Sequence, residues 1–124
     1  MGGGICLESK PLDKEYWNGL IKMSLSRLFI FRVLYQKDLH GYEISKRIEK
    51  LTKGCCAPTE GTLYPALKEF EEGGFLKSKK EVVSGRERKV YSITEKGIKA
   101  YKTALESWEE TAQALLSAKE ELEN

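Results

Sequence analysis

The chain has few of the residue types on which enzymes and secreted scaffolds depend, with one histidine and three cysteines among 124 residues. Because there is no paired-carboxylate motif and no glycine-rich phosphate loop after a strand, catalysis has little to work with, and His40 is interpreted as a helix-turn cap. An odd cysteine count, with Cys55 and Cys56 adjacent, makes a poor disulfide framework and favours a reducing cytoplasm. No apolar run reaches the roughly 18 residues of a membrane span. The sequence predicts a cytoplasmic protein that is not an enzyme and has neither a cofactor nor a membrane partner.

The charge is small over the whole chain but unevenly distributed. Residues 105–124 contain six acidic side chains and one lysine, a net charge of −5. Since the whole chain carries +2, the first 104 residues carry +7. This asymmetry predicts a basic body followed by an acidic terminal helix.

The spacing of apolar residues predicts three helices in the first part of the chain. The first covers about residues 13–35, and it should be buried because it is apolar on nearly all sides. A second, shorter helix covers residues 41–51. The third begins after Thr59, which is a candidate N-cap, and ends at Gly73.

Two strands and a long helix follow. Residues 75–83 and 89–94 predict a hairpin, and residues 95–122 predict a helix about 42 Å long. Its apolar side chains follow a heptad spacing and predict a dimerisation seam of Ile98, Tyr101, Leu105, Trp108, Ala112, Leu115 and Leu122. A seam of this length should contact a second copy of the chain, because so small a body cannot cover it.

This order of elements predicts a mainly α fold with a β-hairpin wing, namely a winged helix-turn-helix followed by a long C-terminal dimerisation helix. We expect a flexible N-terminal lead over residues 1–12. The DNA-binding domain should cover residues 13–94 and the dimerisation helix residues 95–124.

Candidate DNA contacts lie on the third helix and on the hairpin. Hydroxyls near a helix N-terminus and basic side chains suit phosphates and base edges in the major groove. These features select Thr59, Thr62, Tyr64, Lys68, Arg86, Arg88 and Lys89. The hairpin, residues 77–89, has a local charge of +4. Two alternatives are that Tyr64 packs against the first helix and that the hairpin charges only keep an edge strand soluble.

Three short motifs stand out along the chain, namely His40-Gly41-Tyr42-Glu43-Ile44, Gly61-Thr62-Leu63-Tyr64-Pro65-Ala66-Leu67 and Arg88-Lys89-Val90-Tyr91-Ser92-Ile93-Thr94-Glu95-Lys96-Gly97. Together and in this order they resemble the PadR family of transcriptional regulators. The resemblance covers roughly residues 25–97. It implies a repressor that acts as a homodimer on an inverted-repeat operator in double-stranded DNA and is released by a small-molecule effector. Phe70, where the family usually has a large aliphatic residue, and the pair Cys55-Cys56 depart from the pattern.

The segment Leu105-Glu106-Ser107-Trp108 further resembles the short-tail branch of the family, which binds flat drug-like molecules at the dimer interface. That resemblance implies a planar aromatic effector at Trp108. Alternatively, Trp108 fills the core between two tail helices.

The two adjacent thiols suggest another kind of signal. Two thiolates fall short of a zinc site, so no metal site is expected. Cys55 and Cys56 are either ordinary reduced thiols or a trap for a soft metalloid, with Cys6 as a possible third thiol; oxidation could also pair them between chains. The alternative functions are therefore a thiol-based redox or metalloid-sensing DNA-binding regulator, and a winged-helix protein-interaction module without DNA binding.

Overall fold

The structure, a computed structural model, describes residues 10–124. The predicted lead, residues 1–12, lies mostly outside the described range, as does Cys6. Residues 10–12 of the lead form one turn of 3-10 helix. The predicted order of elements is confirmed: α1 Lys14–Gln36, β1 Leu39–His40, α2 Gly41–Thr52, α3 Glu60–Glu72, β2 Leu76–Val83, β3 Arg86–Ile93 and α4 Glu95–Glu123.

The hydrophobic core lies between α1, α2, α3 and the sheet. The apolar stripes of the three helices meet one another there, as their spacing predicts. Its largest fully buried side chains are Ile30, Val33, Leu34, Leu39, Ile44, Ile48, Leu63, Leu67 and Leu76.

The first helix is buried only in its second half. The first buried residue of α1 is Ser26. The first half of the helix exposes the apolar side chains of Tyr16, Trp17, Leu20, Ile21 and Met23. The prediction of a helix buried along its length is therefore wrong for this half, because its large apolar side chains face solvent within one copy of the chain.

The three strands form an antiparallel sheet in the order β1-β3-β2. Strand β3 begins at Arg86, three residues earlier than predicted, because pairing with Val83 brings the charged residues into the ladder. Ser84 and Gly85, with φ of 52° and 77°, form the two-residue turn that a hairpin of this twist requires. The segment Leu76–Ile93, which we call the wing, is thus a regular hairpin.

The last helix begins at Glu95, and its N-cap is Thr94, whose Oγ1 accepts a hydrogen bond from the Gly97 N–H at 3.1 Å. Its first turns pack on the body, where the rings of Tyr101 and Tyr35 lie 5.6 Å apart. All residues after Trp108 are exposed. Over residues 10–124, no helix combines the length and apolarity that crossing a bilayer requires.

Candidate nucleic-acid interface

The start of α3 presents two hydroxyls to solvent. Thr59 is the N-cap residue, as predicted, and its carbonyl accepts hydrogen bonds from the N–H groups of Thr62 and Leu63. The side-chain oxygens of Thr59 and Thr62 contact each other at 3.1 Å instead of capping the backbone. The first turn of the helix therefore keeps the polar, positive end that attracts phosphate groups.

The two faces of α3 divide as the sequence predicts. Leu63, Ala66 and Leu67 are buried, whereas Thr62 and Lys68 are exposed on the opposite side. The exposed part of α3 therefore includes the hydroxyl of Thr62 and the ammonium group of Lys68, together with the carboxylates of Glu60, Glu69 and Glu72.

Tyr64 lies between these two faces, with 41% of its surface exposed. Its ring packs over the first residue of α2, where a Cβ on Gly41 would lie only 3.0 Å from the ring atom Cε1. The predicted alternative contact was with α1, whereas the contact found is with α2. Gly41 has no side chain, so the ring can approach while its edge stays accessible.

The cations of the wing have different surroundings. Arg88 is partly buried, with its guanidinium carbon 4.6 Å from the centre of the Tyr42 ring. Lys89 Nζ lies 3.6 Å from Glu71 Oε1 of α3. Arg86 is exposed beside the turn and forms no ion pair with any residue in the described range. Arg88 and Lys89 thus tie the wing to the helices, and Arg86 alone of the three predicted cations extends freely.

Tyr42 is a site residue that the sequence analysis did not select. Its ring stacks on His40 at 5.6 Å and lies under Arg88, and Lys46 Nζ is 5.9 Å from its centre. The ring therefore joins α2 to the wing. The only sequence signal for it was its place in the His40-Gly41-Tyr42 motif.

His40 caps α2 together with Glu43, which confirms its interpretation as a helix-turn cap. Glu43 Oε1 accepts a hydrogen bond from the His40 N–H at 2.9 Å and lies 2.9 Å from His40 Nδ1. The backbone hydrogen bond from His40 is the main reason that the pKa of Glu43 is lowered. His40 Nε2 lies 3.3 Å from Glu81 Oε1 of the wing, so the cap also touches β2.

The predicted seam on α4 divides into two parts. Ile98 and Tyr101 are partly buried, and Tyr101 packs against the core of the same chain. Trp108 is partly buried midway along the helix. Leu105 and the far end are exposed, namely Ala112, Leu115 and Leu122, the last with 90% of its surface. Only the seam from Leu105 onward is available to another molecule.

Cys55 and Cys56 lie in the turn between α2 and α3, just before Thr59. Cys55 is partly exposed and Cys56 is buried. No cluster of three or more histidine, cysteine or acidic side chains suited to a metal ion occurs within residues 10–124.

Three helices, a hairpin packed beside the second and third of them, and a long terminal helix define a winged helix-turn-helix protein. The family model described as "Transcriptional regulator PadR-like family" matches residues 30–103. The chain therefore belongs to the PadR-like family of transcriptional regulators. Membership confirms that it is a regulator and not an enzyme.

Three known proteins illustrate the likeness. The transcriptional regulator YqjI of Escherichia coli is 37% identical over 71 residues, which are 57% of this chain and 33% of YqjI, so the match spans only a third of that relative. A transcriptional regulator from Clostridium thermocellum superposes with a TM-score of 0.69 at 35% identity, covering 77% of this chain and 93% of the other. Bacillus subtilis PadR, solved in complex with operator DNA, superposes with a TM-score of 0.59 at 22% identity, covering 64% and 46%.

Proposed function

We propose that the chain represses transcription by binding an inverted-repeat operator in double-stranded DNA as a homodimer in the cytoplasm. The observation that carries this proposal is the meeting of three elements at the start of α2. Tyr64 of α3 packs on Gly41, and Arg88 of the wing packs on Tyr42. Because the two contacts are adjacent, α3 and the wing are held side by side, and we infer that the start of α3 and Arg86 face the same duplex.

Each part of this surface has a role that its chemistry suits. A helix N-terminus with short hydroxyls fits the major groove, where Thr59 and Thr62 reach base edges or phosphates. Tyr64 and Lys68 donate to phosphates beside them. Arg86, at the wing tip, reaches the neighbouring backbone, while Arg88 and Lys89 act mainly by holding the wing in place. Bacillus subtilis PadR, which shares this fold, is solved in complex with operator DNA, and this supports DNA as the partner.

The homodimer is supported by apolar surface that one copy of the chain leaves exposed. This surface lies on the first half of α1 and on α4 beyond Leu105. A second copy related by a two-fold axis would cover it, and the two reading helices would then fit half-sites about 34 Å apart. A cluster of large exposed apolar side chains, such as that on the first half of α1, is typical of interaction sites.

We further propose that a small-molecule effector, bound at Trp108, releases the DNA. Trp108 is partly buried in one copy of the chain and belongs to the heptad seam through which we propose that two tail helices meet. Two indoles near the axis would sandwich a planar aromatic molecule, and the carboxylates of Glu106, Glu109 and Glu110 favour a cation.

The test is the salt dependence of DNA binding, measured by fluorescence anisotropy with a duplex that the full chain selects in vitro. The logarithm of the affinity should fall linearly with the logarithm of the salt concentration, by about 0.9 per phosphate neutralised. Arg86→Ala should weaken binding and reduce this slope by about 0.9. Lys102→Ala, which removes the same charge from the exposed side of α4, should leave the slope unchanged.

Two results would count against the proposal. An unchanged slope in Arg86→Ala would remove the wing tip from the interface. If no duplex is enriched and binding at low salt is absent, the chain is a protein-interaction module instead.

A further inference from the structure

Two thiols touch each other at a position that the DNA-binding proposal does not use. The sulfur atoms of Cys55 and Cys56 lie 3.0 Å apart, and the Cys56 thiol donates a hydrogen bond to Cys55 Sγ. Only 2% of the surface of Cys56 is exposed, whereas Cys55 is partly open to solvent. We call this pair the dithiol.

The geometry of the dithiol disfavours two common fates of paired cysteines. The peptide bond between them is trans, which fixes their Cα atoms about 3.8 Å apart, below the 4.4–6.8 Å that disulfides usually span. A structural zinc ion takes four ligands, and no suitable group of three or more donors occurs among the described residues. A suitable ligand must therefore bond to both sulfur atoms without an S–S bond between them. It must also require no third donor from the protein.

We propose that the dithiol is a bidentate site for a singly substituted trivalent arsenical of the form R–As=O. Both S–H bonds break and two As–S bonds form, and the arsenic oxygen leaves with the two protons as water. The arsenic stays trivalent and keeps its bond to carbon, so the step needs no oxidant or reductant. Its three bonds are then filled by the two sulfurs and the carbon.

The order of the two bonds follows from the surroundings of each thiol. Burial is the main reason that the pKa of Cys56 is raised, to about 12, so this thiol stays protonated near neutral pH. Cys55 is the more accessible sulfur and forms the first bond. The second bond is then an intramolecular step, because the arsenic is held beside Cys56.

Room for the organic substituent lies next to Cys55. A hollow of about 610 Å³ separates the start of α1 from the α2–α3 turn, and Asn18, Lys22 and Gly54 are among its walls. At 100° per residue, Asn18 and Lys22 lie on the side of α1 opposite to the exposed Leu20. A dimer formed through the apolar face of α1 therefore leaves the hollow open.

Occupation of the dithiol should reach the start of α3, a step that rests on the proposed DNA-binding function. The Cys56 N–H donates to Thr52 Oγ1 at 3.1 Å, and the Pro58 carbonyl accepts from Ser45 Oγ at 2.7 Å. These bonds fix the turn that leads into Thr59. Because Cys56 is part of the core, an arsenic atom bonded to its buried sulfur needs space beside this turn and strains it.

The site is tested with phenylarsine oxide on the full chain carrying Cys6→Ser, which removes the only other thiol. Intact-mass spectrometry should show one phenylarsenic group per chain and the loss of two free thiols. Cys55→Ser and Cys56→Ser in this background should each weaken binding by a hundredfold or more, about the gain that a second linked bond provides. Cys56→Ala serves if serine unfolds the core, as judged by circular dichroism. Binding by either single variant as tight as that of its parent would overturn the site.

The coupling is tested by hydrogen exchange, which needs no DNA. Phenylarsine oxide should speed exchange of the amides of residues 62 and 63 in the Cys6→Ser chain but not in its Cys55→Ser variant. Phenylarsine oxide should also lower the DNA affinity of the Cys6→Ser chain and leave that of its Cys55→Ser variant unchanged. Tight binding with unchanged exchange would overturn the coupling. Absence of DNA binding by the untreated chain contradicts the proposed function alone, because the mass and exchange measurements still decide the arsenical site.

Discussion

A few side chains at the start of α2 determine how the wing and the helices fit together. Tyr42 lies between His40 and Arg88, and Glu43 caps the same helix through the His40 N–H. Both neighbouring elements contact this turn, since Glu81 of the wing meets His40 and Tyr64 of α3 meets Gly41. Each residue of the motif His40-Gly41-Tyr42-Glu43 therefore has its own structural role, because each makes a different contact.

The cap formed by Glu43 should appear in the acid stability of the protein. The pKa of Glu43 is lowered in the folded chain, so its carboxylate adds stability above the unfolded pKa, near 4.3, and this is lost as the pH falls through the lower folded pKa. Glu43→Gln keeps an oxygen acceptor but cannot titrate. Its free energy of unfolding, measured by urea denaturation, should therefore fall less than that of the parent between about pH 5 and pH 3.

The matched control is Glu49→Gln, which changes an exposed carboxylate on the same helix. It should keep the pH profile of the parent. If Glu43→Gln and the parent lose stability in parallel over this range, the cap does not depend on the charge of Glu43.

Among the elements, α4 combines two functions that a heptad pattern cannot distinguish. Its first turns pack on α1 and the sheet of the same chain, and the rest is exposed. The packing at its start is close. A Cβ on Gly97 would lie 2.2 Å from the carbonyl oxygen of Phe75 and 2.7 Å from Ile93 Cγ1. The position of α4 is therefore set by direct contact with the end of the wing.

This contact reverses the usual effect of replacing a helical glycine. Alanine favours a helix over glycine by about 1 kcal/mol, but at Gly97 the clash is with backbone, which cannot move aside. Gly97→Ala should lower the free energy of unfolding by about 1–3 kcal/mol. Gly19→Ala, in α1 with nothing within 4 Å of the new Cβ, should raise it by about 0.5–1 kcal/mol. Thermal unfolding of both variants measures the contrast, and an equal shift in the same direction would refute it.

The sequence was sufficient for the order of the elements and insufficient for their contacts. Apolar spacing located the four α-helices of residues 10–124, since each carries apolar side chains at a helical period, although α4 leaves most of its own exposed. Strand β1 was missed because two residues show no period, and the first residues of β3 were missed because charged side chains carry no apolar alternation. The different roles of Arg86 and Arg88 depend on the packing of the wing against Tyr42, which local patterns do not encode.

At the scale of the whole molecule, the exposed apolar side chains of α4 predict how two copies of the chain assemble. A chain truncated after Ala104 keeps Ile98 and Tyr101, which pack within one copy, and loses the exposed part of the seam. We expect the full chain to be a dimer and the truncated chain to be a folded monomer. Light scattering gives the mass and circular dichroism the folded state. A stable dimer after truncation would place the interface on the first half of α1 instead.

We expect the dimer to receive its signal at Trp108. A planar aromatic cation between the two indoles gains about 0.5–1.5 kcal/mol per face from stacking, with cation–π attraction in addition. Binding can release DNA only if the ligand prefers a dimer whose reading helices are wrongly spaced. In a Trp17→Phe background such a cation should quench the remaining tryptophan fluorescence, whereas tetraethylammonium, a cation without a ring, should not. Trp108→Ala should abolish ligand-induced DNA release while keeping DNA affinity, and it also corrects for intercalation of the cation into the duplex. If Trp108→Ala dissociates the dimer and no planar cation quenches the parent, Trp108 only fills the interface.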